Sequence, residues 1–338
     1  MVAALTLLIG GFVAGALLAT LAVFAARRVK LLAIPNQRSS HVRPTPTGGG
    51  VAIVLPVLAW CALHALAAKL AAAILLGGSA LAVLGFVDDV VQLSARIRFA
   101  VHVAAVAVVV VLVPLPAFEV PPLRIEAAWL TLPLFGFVLL WLVNLYNFMD
   151  GIDALATAQC LTFAAGVIAL GASGDAASVA YVLAGASAGF LIVNLPPALI
   201  FMGDVASGFV GLTLGAIALV AARESALPFV ASMVLLTGFW FDATWTLCAR
   251  IATRQPFAAA HRSHFYQKCA RKFGHGRTTT GAIVLNLVWL TPLAFLARDV
   301  PRLTWLWLTL AALPYATGCI VLRAGMPDES TSPAGGAR

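Results

Sequence analysis

Charge is what this sequence has least of. Only 34 of its 338 residues are charged, 21 basic and 13 acidic, while 62% are hydrophobic. A soluble globular chain carries about 25% charged residues. Too few are present here to cover a water-facing surface, which excludes a soluble enzyme. The net charge of +8 then points to basic loops and anionic ligands, not to nucleic acid. Cysteine is also sparse. The five, at 61, 160, 248, 269 and 319, stand singly, with no disulfide or CxxC spacing, and fit small buried hydrophobes. There is no low-complexity tract, no evident repeat and no soluble domain. The first apolar run, roughly 3–26, has no basic residue before it and is longer than a signal-peptide core. A retained first helix is expected.

What fills the sequence is apolar runs of spanning length. They predict an all-α polytopic membrane protein of about eleven spans, near 3–26, 49–67, 70–87, 98–113, 129–147, 154–171, 177–194, 207–222, 228–248, 280–297 and 303–322. Residues 1–326 form one transmembrane domain, and 327–338 are expected to be a disordered tail. Loops on one side (27–48, 88–98, 249–279 and the tail) hold 16 Lys and Arg, against 5 on the other. The positive-inside rule places the first set in the cytoplasm, with the N-terminus outside and the C-terminus inside.

On that map Asp88, Asp89, Asp150, Asp153 and Asp204 all fall at cytoplasmic span ends. Polar groups at membrane depth are costly and mark function. Five acids beside so many cations imply a cytoplasm-facing site for a cation and anions, built from loops 27–48, 88–98, 147–154, 194–207 and 249–279.

Five stretches carry the chemistry. RSSHVRPTPTGGG (38–50) is a basic loop ending in glycines that open a helix; their N–H groups could meet a phosphate, or the loop is only a flexible entry. In GFVDDV (85–90) the adjacent acids diverge by about 100° on a helix. One can face a ligand while the other holds a neighbour. In NLYNFMDGIDALA (144–156), Asn147, Asp150 and Asp153 recur every third residue, so they share a face. Their oxygens suit Mg²⁺, although Asp153 could simply cap the next helix. In NLPPALIFMGDVASGFVG (194–211), two prolines break a span and Asp204 stands at the next helix start, as metal–phosphate ligand or plain cap. The loop 249–279 contains HRSHFYQKCARKFGHGR; its His and Cys spacing matches no standard zinc site, and Arg and His suit diphosphate recognition. Asp242, in the ninth span, lines a lipid groove or bonds a neighbouring helix.

In this order and spacing, RSSHVRPTPTGGG, GFVDD, NLYNFMDGIDALA, IFMGDVASGFVG and HRSHFYQ resemble the polyprenyl-phosphate N-acetylhexosamine-1-phosphate transferases, over residues 38–267. The resemblance implies transfer of a sugar 1-phosphate from a UDP-N-acetylhexosamine to undecaprenyl phosphate, releasing UMP. It also implies Mg²⁺ (Mn²⁺ as a substitute), a bacterial inner-membrane location and a homodimer. By position, Asp204 and Asn147 look like metal ligands, and Asp88 and Asp89 like the essential acidic pair. Asp150, Asp153, Asn194 and Phe201 look like nucleotide-pocket residues. His261, Arg262 and His264 look like the diphosphate or sugar grip, with Arg43 and Arg98 among the substrate-binding cations. Ala154 and Ala206 replace family glycines, and each methyl is expected to narrow the nucleotide pocket. HRSHFYQ is similar to the O-antigen-initiating branch, with GlcNAc, FucNAc or QuiNAc as sugar. Direct attack is expected over a phospho-aspartate route. The competing class, a transporter or flippase, would place ionisable groups near mid-membrane in two related halves.

Overall fold

The computed structural model describes residues 2–35, 40, 43–225, 227–256 and 261–326. The expected tail, and Arg38, Ser39, His41 and Val42 of the first motif, lie outside the described residues. The helices are α1 Val2–Val29, α2 Val51–His64, α3 Lys69–Val91, α4 Ala95–Leu112, α5 Ala128–Met149, α6 Leu155–Ala169 and α7 Gly174–Asn194. They continue as α8 Asp204–Glu224, α9 Phe229–Leu235, α10 Thr237–Ala252, α11 Phe265–Phe273, α12 His275–Asp299 and α13 Thr304–Val321. Among the described residues eight are long and apolar enough to cross a membrane, or nine with α9 and α10 as one span bent by 76°. The second and sixth expected spans are shorter helices, 14 and 15 residues in α2 and α6. The chain is an all-α, multi-pass membrane protein.

The bundle is built around α8, whose spanning window is 94% buried. Its apolar stretch is rich in Gly, Ala and Val, so neighbours can approach from every side. Facing small residues also join α1 to α7. A Cβ added at Gly11 would lie 2.6 Å from the Val182 carbonyl oxygen, and one at Gly189 would lie 2.5 Å from the amide nitrogen of Ala16. The opposite side of α1 leaves Leu5, Ile9, Leu17 and Phe24 exposed, as a lipid-facing helix does.

Two features set the acid-rich end. Strand β1 (Leu32–Ala33) pairs antiparallel with β2 (Thr45–Pro46). The chain beyond β2 then hydrogen-bonds to the turn before α8: Phe201 donates to the Pro46 carbonyl (2.8 Å), and Gly49 and Gly50 donate to Phe201 (2.9 Å) and Met202 (2.8 Å). The triple glycine is therefore a brace, and two of its N–H groups are already taken. The phosphate reading of Gly48–Gly50 is corrected accordingly. Ala206 faces Gly50, where any added Cβ would strike it. Its methyl fills the brace and does not narrow a pocket.

Leu31 accepts from Thr47, and Gly325 donates to Ser263.

Candidate active site

Asp204 is the first residue of α8, following Gly203 at φ +77°. Two cavities meet at its side chain. One, of about 520 Å³, is bounded by α3, α4 and α5 and includes Asp88, Arg96, Arg98, His102, Asn144 and Asn147. The other, of about 370 Å³, includes Asp89, Asp150, Asp153, Asn194, Phe201 and His275. It adjoins a third hollow of about 440 Å³, with Arg27 and Arg43 at its rim. Helix geometry explains the division. α3 continues through Val91, so Asp88 and Asp89 sit in its last turn and point to different sides.

Asp88 holds Arg98 through an Nη1–Oδ2 bond of 2.9 Å and accepts from the Leu93 amide. Of the expected alternatives, the structure shows the carboxylate holding a basic neighbour. Asp89 accepts from the first two amides of α8, Asp204 (3.1 Å) and Val205 (3.3 Å). It thus caps that helix, where a negative charge suits the helix dipole. Gly203 makes room for it, since a Cβ there would stand 2.7 Å from Asp89 Oδ2. Asn147 donates its amide nitrogen to Asp204 Oδ1 and Ser207 Oγ, both at 3.0 Å. Its own Oδ1 is the atom left to offer a cation.

Asp150 lies just beyond α5. Burial, then the charges of Asp204 and Asp89, push its carboxyl up to about 8. Asp88 also shares the wall of the first cavity with Asp204. Carboxylates gathered this closely need a shared proton or a cation. Among the described residues no three His, Cys, Asp or Glu form a metal cage. That donor set fits Mg²⁺, which takes one or two protein carboxylates and completes its shell with water and phosphate oxygens.

The remaining expected site residues are placed unevenly. Asp153 accepts from Ala198 N (3.2 Å) and pairs with His275 Nδ1 (3.2 Å). It does not cap α6; that position is taken by Ala154, at φ +62°. Ala154 is buried and left-handed, so the expected narrowing of the pocket is replaced by backbone strain. Asn194 reaches the cavity wall, but Thr157 donates to its Oδ1 (2.7 Å) and its amide donates to the Ile200 carbonyl (3.0 Å). It braces the Pro196–Pro197 turn. Phe201 lines the second cavity, and exposed Arg43 stands near its mouth. Asn144 bonds the Leu140 carbonyl (2.7 Å) while also lining the first cavity.

His261, Arg262 and His264 do not line either acid cavity. The His261 and His264 rings lie against each other, tilted by 32° with centroids 5.0 Å apart; His264 is buried, and Arg262 is exposed. Burial, then His264 and Arg250, push the His261 imidazole down to about 4. It is a neutral hydrogen-bonding group at pH 7. The histidine that does reach the second cavity is His275, with Nδ1 on Asp153 and Nε2 3.3 Å from the Ser40 carbonyl. His102 likewise lines the first cavity. Sequence reasoning did not select either as a site residue. The Gly274–His275 pair at a helix start was the available signal for His275, with Gly274 at φ +83°.

These features define a multi-pass membrane protein with a bipartite, acid-lined site at one end of its bundle. The glycosyl transferase family 4 model matches residues 71–222. A probable undecaprenyl-phosphate N-acetylglucosaminyl 1-phosphate transferase of Bacillus subtilis is 31% identical, covering 69% of this chain and 68% of that protein. A decaprenyl-phosphate N-acetylglucosaminephosphotransferase of Mycobacterium leprae is 28% identical over 88% of this chain and 82% of its own. The counterpart of that name in Mycolicibacterium smegmatis is 31% identical over 60% and 58%. The chain belongs to glycosyl transferase family 4.

Proposed function

We propose that the protein transfers an N-acetylhexosamine 1-phosphate from a UDP-sugar to undecaprenyl phosphate, releasing UMP. The product would initiate O-antigen or a related envelope polysaccharide on the cytoplasmic face of a bacterial inner membrane. N-acetylglucosamine is the first choice of sugar, because the relatives are named for it. The family relationship favours a transferase over a transporter. So does the gathering of acids at one end of the bundle.

The observation that carries the proposal is Asp204 at the junction of two polar cavities. A transfer between two substrates needs two sites that meet at one point. The acceptor belongs in the cavity with Asp88, Arg96 and Arg98. The two helices beside it, α3 and α4, leave Val83, Phe86, Phe99 and Val103 exposed, so a lipid-borne phosphate can enter sideways from the bilayer. The donor belongs in the cavity with Asp150, Asp153 and Phe201. Phe201 offers a ring for the base, and Arg27 and Arg43 offer charge near the mouth.

Phosphoryl transfer needs alignment and charge neutralisation more than covalent help. A phosphate monoester has a second pKa of about 6, so the acceptor is mostly dianionic at pH 7. A strong base is not required, and Asp88 can serve by steering Arg98. An acceptor oxygen attacks the sugar-bearing phosphorus of the donor, and the bond to the UMP oxygen breaks. Asp204, with Asn147 Oδ1, would hold Mg²⁺, which supplies Lewis-acid stabilisation of the leaving phosphate. Asp89 fixes the turn that aims Asp204, and Asn147 fixes its carboxylate.

The test is product formation by the purified protein from labelled UDP-GlcNAc, UDP-FucNAc and UDP-QuiNAc. Acceptors of ten and eleven prenyl units would be compared. A lipid-linked diphospho-sugar with at least one donor is expected; none with any donor would overturn the proposal.

A further inference from the structure

The geometry points to Asp242 as a positioning residue for this reaction, acting through the histidine segment 261–266. The inference rests on the proposed transferase activity. Asp242 lies in α10 and is 1% exposed. An ionised carboxylate that deep is costly unless it is fully bonded, and here its partners are specific. Oδ1 accepts from Phe265 N (2.8 Å), Oδ2 from Tyr266 N (2.9 Å), and Thr246 donates its hydroxyl to Oδ1 (3.2 Å). Phe265 and Tyr266 are the first two residues of α11, so Asp242 caps that helix from a neighbouring span. His264 Nδ1 lies 3.5 Å from Oδ1. The carboxylate thereby fixes the start of α11.

The same turn is fastened on its other side. Tyr266 donates its hydroxyl to the Phe148 carbonyl (2.9 Å). Gly151 lies against that hydroxyl so closely that any Cβ would collide with it. Phe148 lies between Asn147 and Asp150. One chain of bonds, Asp242 to Tyr266 to Phe148, therefore ties the histidine segment to the acidic segment. Neither partner alone is long enough or regular enough to hold that relation. Residues 253–256 and 261–264 lie outside helices, and α5 ends at Met149. Through Tyr266, Asp242 holds in place the segment whose Asn147 and Asp150 surround Asp204.

Two measurements test this on the full-length protein in detergent or nanodiscs. Hydrogen exchange needs no turnover. Asp242→Asn keeps one acceptor and loses the other, so exchange is expected to rise together in 261–266 and 147–151. Tyr266→Phe is expected to raise exchange in 147–151 without disturbing α10. Protection unchanged in 147–151 in both variants would overturn the tie, whatever the enzyme does. Kinetics then separates positioning from mere support. A misplacement of about 1 Å can cost about 100-fold. On that scale Asp242→Asn should lower kcat by about 10- to 100-fold, with both KM values within about two-fold of wild type. Tyr266→Phe should show a smaller defect of the same kind. Because Asp242 acts through Tyr266, Asp242→Asn combined with Tyr266→Phe should cost no more than Asp242→Asn alone. Losses that multiply, or a defect in KM alone, would overturn the positioning role. If wild-type protein turns over no donor, the transferase proposal fails, while the exchange arm still decides the tie.

Discussion

At the scale of single residues, adjacent acids of the same chemistry are given separate work by where the helix turns them. Asp88 faces the cavity bounded by α3, α4 and α5 and engages Arg98; Asp89 caps α8 and supports Asp204. Asp204→Asn keeps the size of the side chain and removes the charge that would hold the cation. Loss of a preorganised electrostatic group typically costs about 10²–10³ in kcat. At least that loss is expected, with the folded fraction on gel filtration unchanged; near-normal turnover would refute the metal assignment. Ala154 makes a prediction of the opposite sign. A left-handed alanine costs about 1–2 kcal/mol, partly offset by the extra freedom glycine gives the unfolded chain, about 0.4–1 kcal/mol. Ala154→Gly should therefore stabilise by up to about 1 kcal/mol, read as a small rise in melting temperature. The acids were legible in the sequence because charge is rare there and their spacing is regular. Asp242 was legible as an embedded acid that lines a lipid groove or bonds a neighbouring helix, and the structure shows the second. His275 was not selected, because its partners Asp153 and Ser40 lie 122 and 235 positions away.

At the scale of elements, the spans were legible from hydropathy and the ends less so. α3 runs on through Val91, past the expected limit at 87, because capping is completed by Asp88 bonding the Leu93 amide. α12 starts at His275, well before the apolar run, because its polar first turn packs against Asp153 and Thr279 donates to the Asp153 carbonyl. The bend between α9 and α10 had no sequence mark in an otherwise continuous apolar run. The α1–α7 contact gives an element-level prediction. A Cβ at Gly15 would lie 2.6 Å from the Ala186 carbonyl oxygen, which is backbone and cannot yield. Gly15→Leu should destabilise by about 1–3 kcal/mol, lowering the melting temperature while the surviving folded enzyme keeps its KM values. The loop before α11 gives a pH prediction. His261 has a folded pKa near 4, below its unfolded value of about 6.5, so its neutral form is favoured by folding. That stability is present above about pH 6.5 and is lost as pH falls towards 4. Melting temperature measured from pH 7 to pH 5 should fall more for wild type than for His261→Asn. Parallel curves would contradict the assignment of a depressed pKa.

At the scale of the whole molecule, a nearly uncharged bundle concentrates its polar residues at one end, around the buried helix α8. α3 and α4 beside one cavity leave apolar side chains exposed, the other cavity is lined by the loops after β2 and α7, and Asp204 is the residue common to both. Under the proposed function, a membrane lipid and a water-soluble nucleotide sugar would meet there. The most direct test of that account is the time course of UMP release from labelled UDP-GlcNAc, followed with and without polyprenyl phosphate and with and without Mg²⁺. Release that requires the acceptor and the cation together, and that disappears in Asp204→Asn, is the predicted result. A stoichiometric burst of UMP without acceptor would contradict direct transfer between the two cavities, and undiminished release in Asp204→Asn would contradict the site itself.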